Sequence, residues 1–321
     1  MNPGAPSSLA IRLLVSAACL LFVAMPAASQ PSNVYSTYGV HSDAHAGDCA
    51  YPTCVYERDP GQPTDPLYPP YWTSHWAMYR VFNKYQANPP PYQVRPPPDL
   101  KDGVDYQTSW GTSYYDSTWK GRSGRGAMEE HYDHYCLPIF PIPNNYSCAF
   151  ISLGDVAFFV TYDDRPSWMP PVCLFSPSNR PPERDFIKHL PYDSGDSGRP
   201  NPPVQGYSFW IGQDSKPMQG GAAPDRTADG GILFGYAFDA RPTADRVDRS
   251  AKPYRHPQSF YFSGVPLMPQ VPLPNAPIVS QNYTDFAMVR PDPATTWNQV
   301  AELDSAKLPA CHLFDPPVRR R

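Results

Sequence analysis

A chain of 321 residues with 44 prolines, 14% aromatic residues and a formal net charge of −4 excludes several classes at once. Proline at that density forbids long helices, because each one removes an amide donor and clashes with the preceding turn, while aromatic richness excludes plain disorder. The charge balance leaves no basic field to hold a polyphosphate backbone, so nucleic acid is excluded as a partner, and the closing Arg319-Arg320-Arg321 reads as a solvated tail.

The first predicted element is a secretory signal over residues 1–29. Leu13 to Met25 is an apolar run too short for a comfortable bilayer span, Pro26 breaks it, and Ala27-Ala28-Ser29 supplies the small residues that signal peptidase accepts. No later stretch reaches the length of a membrane span, so no transmembrane segment is expected after signal removal. Residues 30–70 read as a turn-rich N-terminal segment. It holds His41, Asp43, His45 and Asp48, whose flexible setting makes them solvated groups rather than ligands. Residues 71–321 are expected to form a single β-rich domain.

Within that domain, residues 73–85 predict a short helix, with Thr73 or Ser74 as cap and Trp72, Trp76, Tyr79 and Val81 or Phe82 as its apolar stripe. Residues 88–100, with two Pro-Pro-Pro runs, predict an extended strap. From residue 106 strand signals dominate. YQTSW and SYYDSTW alternate aromatic with small polar residues. GRGAMEEHYDHYC interrupts them as a candidate helix face after a Gly-rich loop. Residues 148–162 predict a hairpin turning at Gly154-Asp155, a pair suited to a type II′ turn. Further strands are expected at 172–176, 206–212, 231–238, 259–264 and 284–290. Asp292-Pro293 opens a predicted helix, ATTWNQVAEL. The fold class is mainly β, a sandwich-like or irregular two-sheet fold with long Pro-rich loops, two or three short helices and disulfides. No fixed period marks a propeller or solenoid.

Removing Cys19 with the signal leaves Cys49, Cys54, Cys136, Cys148, Cys173 and Cys311. An even number in an exported chain points to disulfides and to a secreted or periplasmic location. Short loops favour Cys49–Cys54 and Cys136–Cys148, which leaves Cys173–Cys311 to tie back the C-terminus.

Chemistry-bearing residues concentrate in MEEHYDH. On a helix Glu130 and His134 stand one turn apart and His131 neighbours His134. Glu130, His131 and His134 are therefore the candidate ligands for a divalent metal, the one cofactor the sequence suggests. Glu129, Glu130, His131 and His134 are equally candidates for acid–base catalysis, since a carboxylate holds a histidine in one tautomer. Asp163 and Asp164 at a strand end join them as catalytic candidates, and Asp155 and Asp239 occupy similar strand-end positions. Trp110, Trp119, Trp168 and Trp210 are candidate sugar-stacking surfaces, because an indole face packs on the CH face of a pyranose. Asn145-Tyr146-Ser147 and Asn282-Tyr283-Thr284 are glycan acceptor sequons. Gly195-Asp196-Ser197-Gly198 resembles the nucleophile motif of trypsin-like serine proteases. The likeness covers a handful of residues, lacks that family's histidine setting, and reads as a surface loop. Nucleotide cradles and the nucleophile elbow are absent.

Three functions follow as expectations. The first is a polysaccharide-directed protein, binding or hydrolysing glycans with paired carboxylates and aromatic platforms. The alternative is a structural or assembly protein of the cell envelope or extracellular matrix, with self-association through large complementary surfaces. The third is a metal-dependent enzyme.

Overall fold

The computed structural model describes residues 55–81, 100–136, 145–162, 165–176, 180–190, 192–193, 204–211, 232–239, 255–264 and 278–311. The signal segment, residues 30–54 with the Cys49–Cys54 pair, the 82–85 end of the predicted helix, both proline runs of the strap, the Ser-Gly loop after Asp193, and Asp163 and Asp164 lie outside these residues.

The described residues form eleven strands: β1 (Tyr71–Val81), β2 (Tyr106–Asp116), β3 (Ala127–His134), β4 (Cys148–Leu153), β5 (Val156–Thr161), β6 (Val172–Ser176), β7 (Tyr192–Asp193), β8 (Val204–Ile211), β9 (Ile232–Asp239), β10 (Pro257–Gly264) and β11 (Ile278–Ala287). They join edge to edge into one antiparallel sheet in the order β6-β5-β4-β3-β2-β1-β11-β10-β9-β8-β7. The mainly β expectation is met; among the described residues the strands join in one sheet, and a two-sheet arrangement is not confirmed.

Two predicted helices are strands. In residues 71–81 the sequence satisfies period 2 as well as 3.6: Trp72, Ser74, Trp76 and Met78 fall on one face. That face is buried, and β1 is paired on both sides, by β2 and β11. Likewise β3 is paired by β2 and β4, so sheet hydrogen bonds override the helix preference of its Met and Glu residues. Near the C-terminus the predicted long helix shortens to α1 (Asn298–Ala301). Asp292 ends in a turn instead, its carboxylate accepting from Ala294 N at 3.0 Å.

The β4–β5 hairpin forms where expected. Leu153 pairs with Val156, Gly154 takes φ +60°, and Asp155 stays out of positive φ, the sign pattern of a type II′ turn.

The sheet curls. The Tyr68 ring lies 5.5 Å from Tyr115 on β2 and 5.7 Å from Phe238 on β9. Those strands are four places apart in the sheet, about 19 Å if it were flat. The inner face therefore wraps an aromatic core of Tyr68, Trp72, Trp76, Tyr115, Phe186, Tyr207 and Phe238, among others. Of residues 55–70, Pro66 and Tyr68 to Pro70 are buried, while Val55, Glu57, Pro60, Gly61 and Thr64 are exposed. Tyr68 is buried, and Arg58 donates to the carbonyls of Ile187 and Leu190.

The outer face is covered over β4 and β5. Trp297 and Val300 pack there on Ile151, Leu153, Phe158 and Val160. Arg122, from the Gly-rich loop, holds that cover in place by donating to the carbonyls of Ala301 and Leu303 at 3.1 and 2.8 Å.

Cys136–Cys148 and Cys173–Cys311 are both disulfides. The second lays residues 309–311 along the free edge of β6: Leu174 N donates to the Pro309 carbonyl and Cys311 N to the Leu174 carbonyl. Two disulfides suit an oxidising extracellular or periplasmic environment. Among the described residues no helix is long and apolar enough to cross a membrane.

Candidate functional site

β3 carries the acidic and imidazole groups, and its register sorts them. Met128, Glu130 and Tyr132 stand opposite Tyr115, Ser113 and Gly111 of β2, while Glu129 and His131 stand opposite Tyr114 and Thr112. Opposed residues share a face, so Glu130 points into the aromatic core and Glu129 and His131 point out. A bulge then leaves Asp133 without an opposite residue and sets His134 against Trp110, on the outer face. The metal triad is thereby corrected: Glu130 is separated from His131 and His134 by the sheet itself. Among the described residues no group of three metal-ligating side chains converges.

On the inner face Glu130 is buried, accepting from Ser113 Oγ at 2.5 Å and from Gln281 Nε2 at 3.0 Å. Ser113, Glu130 and Gln281 come from β2, β3 and β11, so one small polar knot ties three strands inside the aromatic cluster. Burial pushes the Glu130 carboxyl up to about 7, against the pull of its two hydrogen bonds. Gly111 closes the same region: a Cβ there would run into the Trp76 ring and the His131 carbonyl oxygen.

On the outer face of β1–β3 His75 and Trp110 are exposed, while Tyr79, Thr112 and Glu129 are buried. His75 shares a 2.9 Å hydrogen bond with Thr112, and Thr112 is opposed by His131 on its other side. His131 Nδ1 donates to Glu129 Oε1 at 3.3 Å, and His131 Nε2 lies 3.6 Å from Asp133 Oδ1. The Tyr162 ring leans over to within 5.3 Å of His131, its hydroxyl accepting from Gln299 Nε2 at 3.0 Å. Glu129 is only 2% exposed, yet its Oε2 has no hydrogen-bond partner among the described residues. Burial pushes this carboxyl up too, and the His131 hydrogen bond pulls it back.

Of the four tryptophans, Trp110 is 49% exposed on this outer strip. Trp119 packs edge-on against Trp297 under the C-terminal cover, and Trp168 packs against the main core, so both hold the fold together. Of Trp210 only the backbone, in β8, is described. Asp155 pairs with Arg125 at 3.1 Å, and Asp239 accepts from Gln258, so both serve loop geometry. Asn145 is exposed beside the Cys136–Cys148 bridge, whereas Asn282 is buried within β11, between β1 and β10.

Sequence reasoning missed His75, Thr112, Tyr114 and Tyr162 on the outer strip and Ser113 and Gln281 on the inner knot. His75 was within reach: the alternation of 71–81 sets it with Thr73 and Ala77 on the face opposite the tryptophans. No protein-family profile matches the chain, and no curated protein matches it.

Proposed function

We propose that this is an exported, polysaccharide-directed protein that binds its glycan along the outer strip of β1–β3. The observation that carries the reading is Trp110, half exposed on a regular sheet face and followed along β2 and β3 by Thr112, His131, Tyr114 and Glu129. From Trp110 to Tyr114 the strip runs about 13 Å, enough for a short run of sugar units. Its floor offers the combination sugars require, an aromatic plane for CH faces and polar groups for hydroxyls. The disulfides and the N-terminal signal pattern support export.

Binding fits the geometry better than hydrolysis. A glycosidase keeps the space between its two carboxyl groups for the scissile bond. Here the His131 imidazole fills the space between Glu129 and Asp133, bonded to one and close to the other. The assembly reading draws less support, because residues 309–311 occupy the β6 edge on which a second chain would add.

Affinity electrophoresis through gels carrying different polysaccharides tests the proposal. At least one polysaccharide should retard the protein, and Trp110→Ala should cut that affinity about tenfold with an unchanged melting temperature. Equal retardation of the variant, or no retardation by any polysaccharide, would overturn it.

A further inference from the structure

The chemistry of the strip narrows the class of glycan, given the polysaccharide reading above. By register the outer positions of β1–β3 are Tyr71, Thr73, His75, Ala77 and Tyr79, then Tyr106, Thr108, Trp110, Thr112, Tyr114 and Asp116, then Ala127, Glu129, His131 and His134. None is lysine or arginine. Asp116 is answered by Arg290 at 3.0 Å, but among the described residues Glu129 and Asp133 form ion pairs only with the one imidazole between them. A polyuronate or sulfated chain laid between Trp110 and Glu129 would find two carboxylates, while Arg290, over the Tyr71 ring, is already paired with Asp116.

Glu129 gives the second, independent observation. Its carboxyl is buried and its Oε2 is unpartnered, an expense the fold does not otherwise need. The surrounding groups are Tyr114 directly opposite, Tyr162 leaning in from the end of β5, and His131. A carboxylate floor ringed by phenol and imidazole faces suits a cation, attracted by the charge below and by the ring quadrupoles at the sides. His131, 29% exposed, is the wall that reaches solvent.

We infer that the glycan carries free primary ammonium groups, so that a deacetylated amino-sugar polymer is the ligand class, with Glu129 receiving one ammonium while Trp110 stacks on a ring further along. The ammonium supplies the donor that Oε2 lacks, and each N-acetyl group would replace that charge with a bulky neutral amide.

The test is titration calorimetry with three soluble oligomers: fully deacetylated β-linked glucosamine, its N-acetylated counterpart, and oligogalacturonate, at a mildly acidic pH that keeps the amines charged. The deacetylated oligomer should bind at least tenfold more tightly than the N-acetylated one, with no binding of the uronate. Glu129→Gln should erase that preference, whereas Trp110→Ala should weaken both glucosamine ligands alike. A second measurement needs no variant: raising the salt concentration should weaken the deacetylated oligomer and leave the N-acetylated one nearly unchanged. Tighter binding of the acetylated or uronate oligomer, a preference surviving in Glu129→Gln, or affinity indifferent to salt would overturn the ammonium assignment alone. Binding of no glycan at all would instead remove the polysaccharide reading.

Discussion

Glu129 and Glu130 are neighbours in the chain and belong to opposite sides of the molecule. Glu130 sits inside the curl, with Ser113 and Gln281 answering the same carboxylate oxygen from two other strands. Glu129 sits under the outer surface with one oxygen answered and one not. Both carboxyls are pushed up by burial, so titration alone does not distinguish them. Their partners do. A buried carboxyl served by neutral donors in a closed aromatic cluster is a structural knot. One left incomplete at the margin of the outer face has room for something from outside.

The largest expected effect abolishes both environments at once. Gly111→Val would drive a side chain into Trp76 on the inner face and push on the His131 carbonyl in the adjacent strand. We expect a loss of about 3 kcal/mol or more, read as failure to accumulate folded protein or as a steep drop in melting temperature.

Next comes pH. A carboxyl that binds its proton more tightly folded than unfolded adds stability at low pH. For Glu130 that contribution is complete below the ordinary 4.5 and is lost as pH rises through about 7. The shift corresponds to about 3 kcal/mol of stability given up between acid and neutral conditions, each pH unit counting for about 1.4 kcal/mol. Urea midpoints measured across that range should fall with rising pH in the native protein, and Glu130→Gln should flatten the profile. An unchanged slope in the variant would show that the inner knot does not govern it.

Smaller still is the effect of Glu129→Gln on folding. Because the carboxyl makes one long hydrogen bond and leaves an oxygen idle, we expect a change within about 1 kcal/mol. A loss as large as that for a buried paired charge would erase the contrast between the two glutamates. Smallest is Trp110→Ala, whose half-exposed ring should cost stability no more than about 0.5 kcal/mol while glycan affinity falls.

The fold was legible where periodicity was unambiguous. The 148–162 hairpin announced itself through two apolar β-branched and aromatic runs around Gly-Asp, and strands within 172–176, 206–212, 231–238, 259–264 and 284–287 all appear, β11 beginning earlier than read. Of the disulfides in the described residues, Cys136–Cys148 followed from its short loop and Cys173–Cys311 was the pair that remained. What escaped was set by neighbours distant in sequence. The tryptophan-rich segment at 71–81 fits both periods, and only pairing with β2 and β11, the latter some 200 residues on, selects the strand. MEEHYDH was located correctly as the densest chemical stretch, but reading it as a helix placed Glu130 with the histidines. A strand puts Glu130 behind them, and the bulge at Asp133 returns His134 to the side of His131. A bulge of that kind is fixed by the length of the opposing strand, which local composition does not encode.

The tail that runs beside β6 has a consequence for how copies of this molecule meet. A long antiparallel ladder ends in a row of bare amides and carbonyls, an invitation to fibril growth. At that end the invitation is answered from within, by Pro309 and Cys311, and the covalent anchor at Cys173 keeps the answer in place. Oxidation thus does more than strengthen the fold: it holds residues 309–311 against backbone that a further strand would need at that edge.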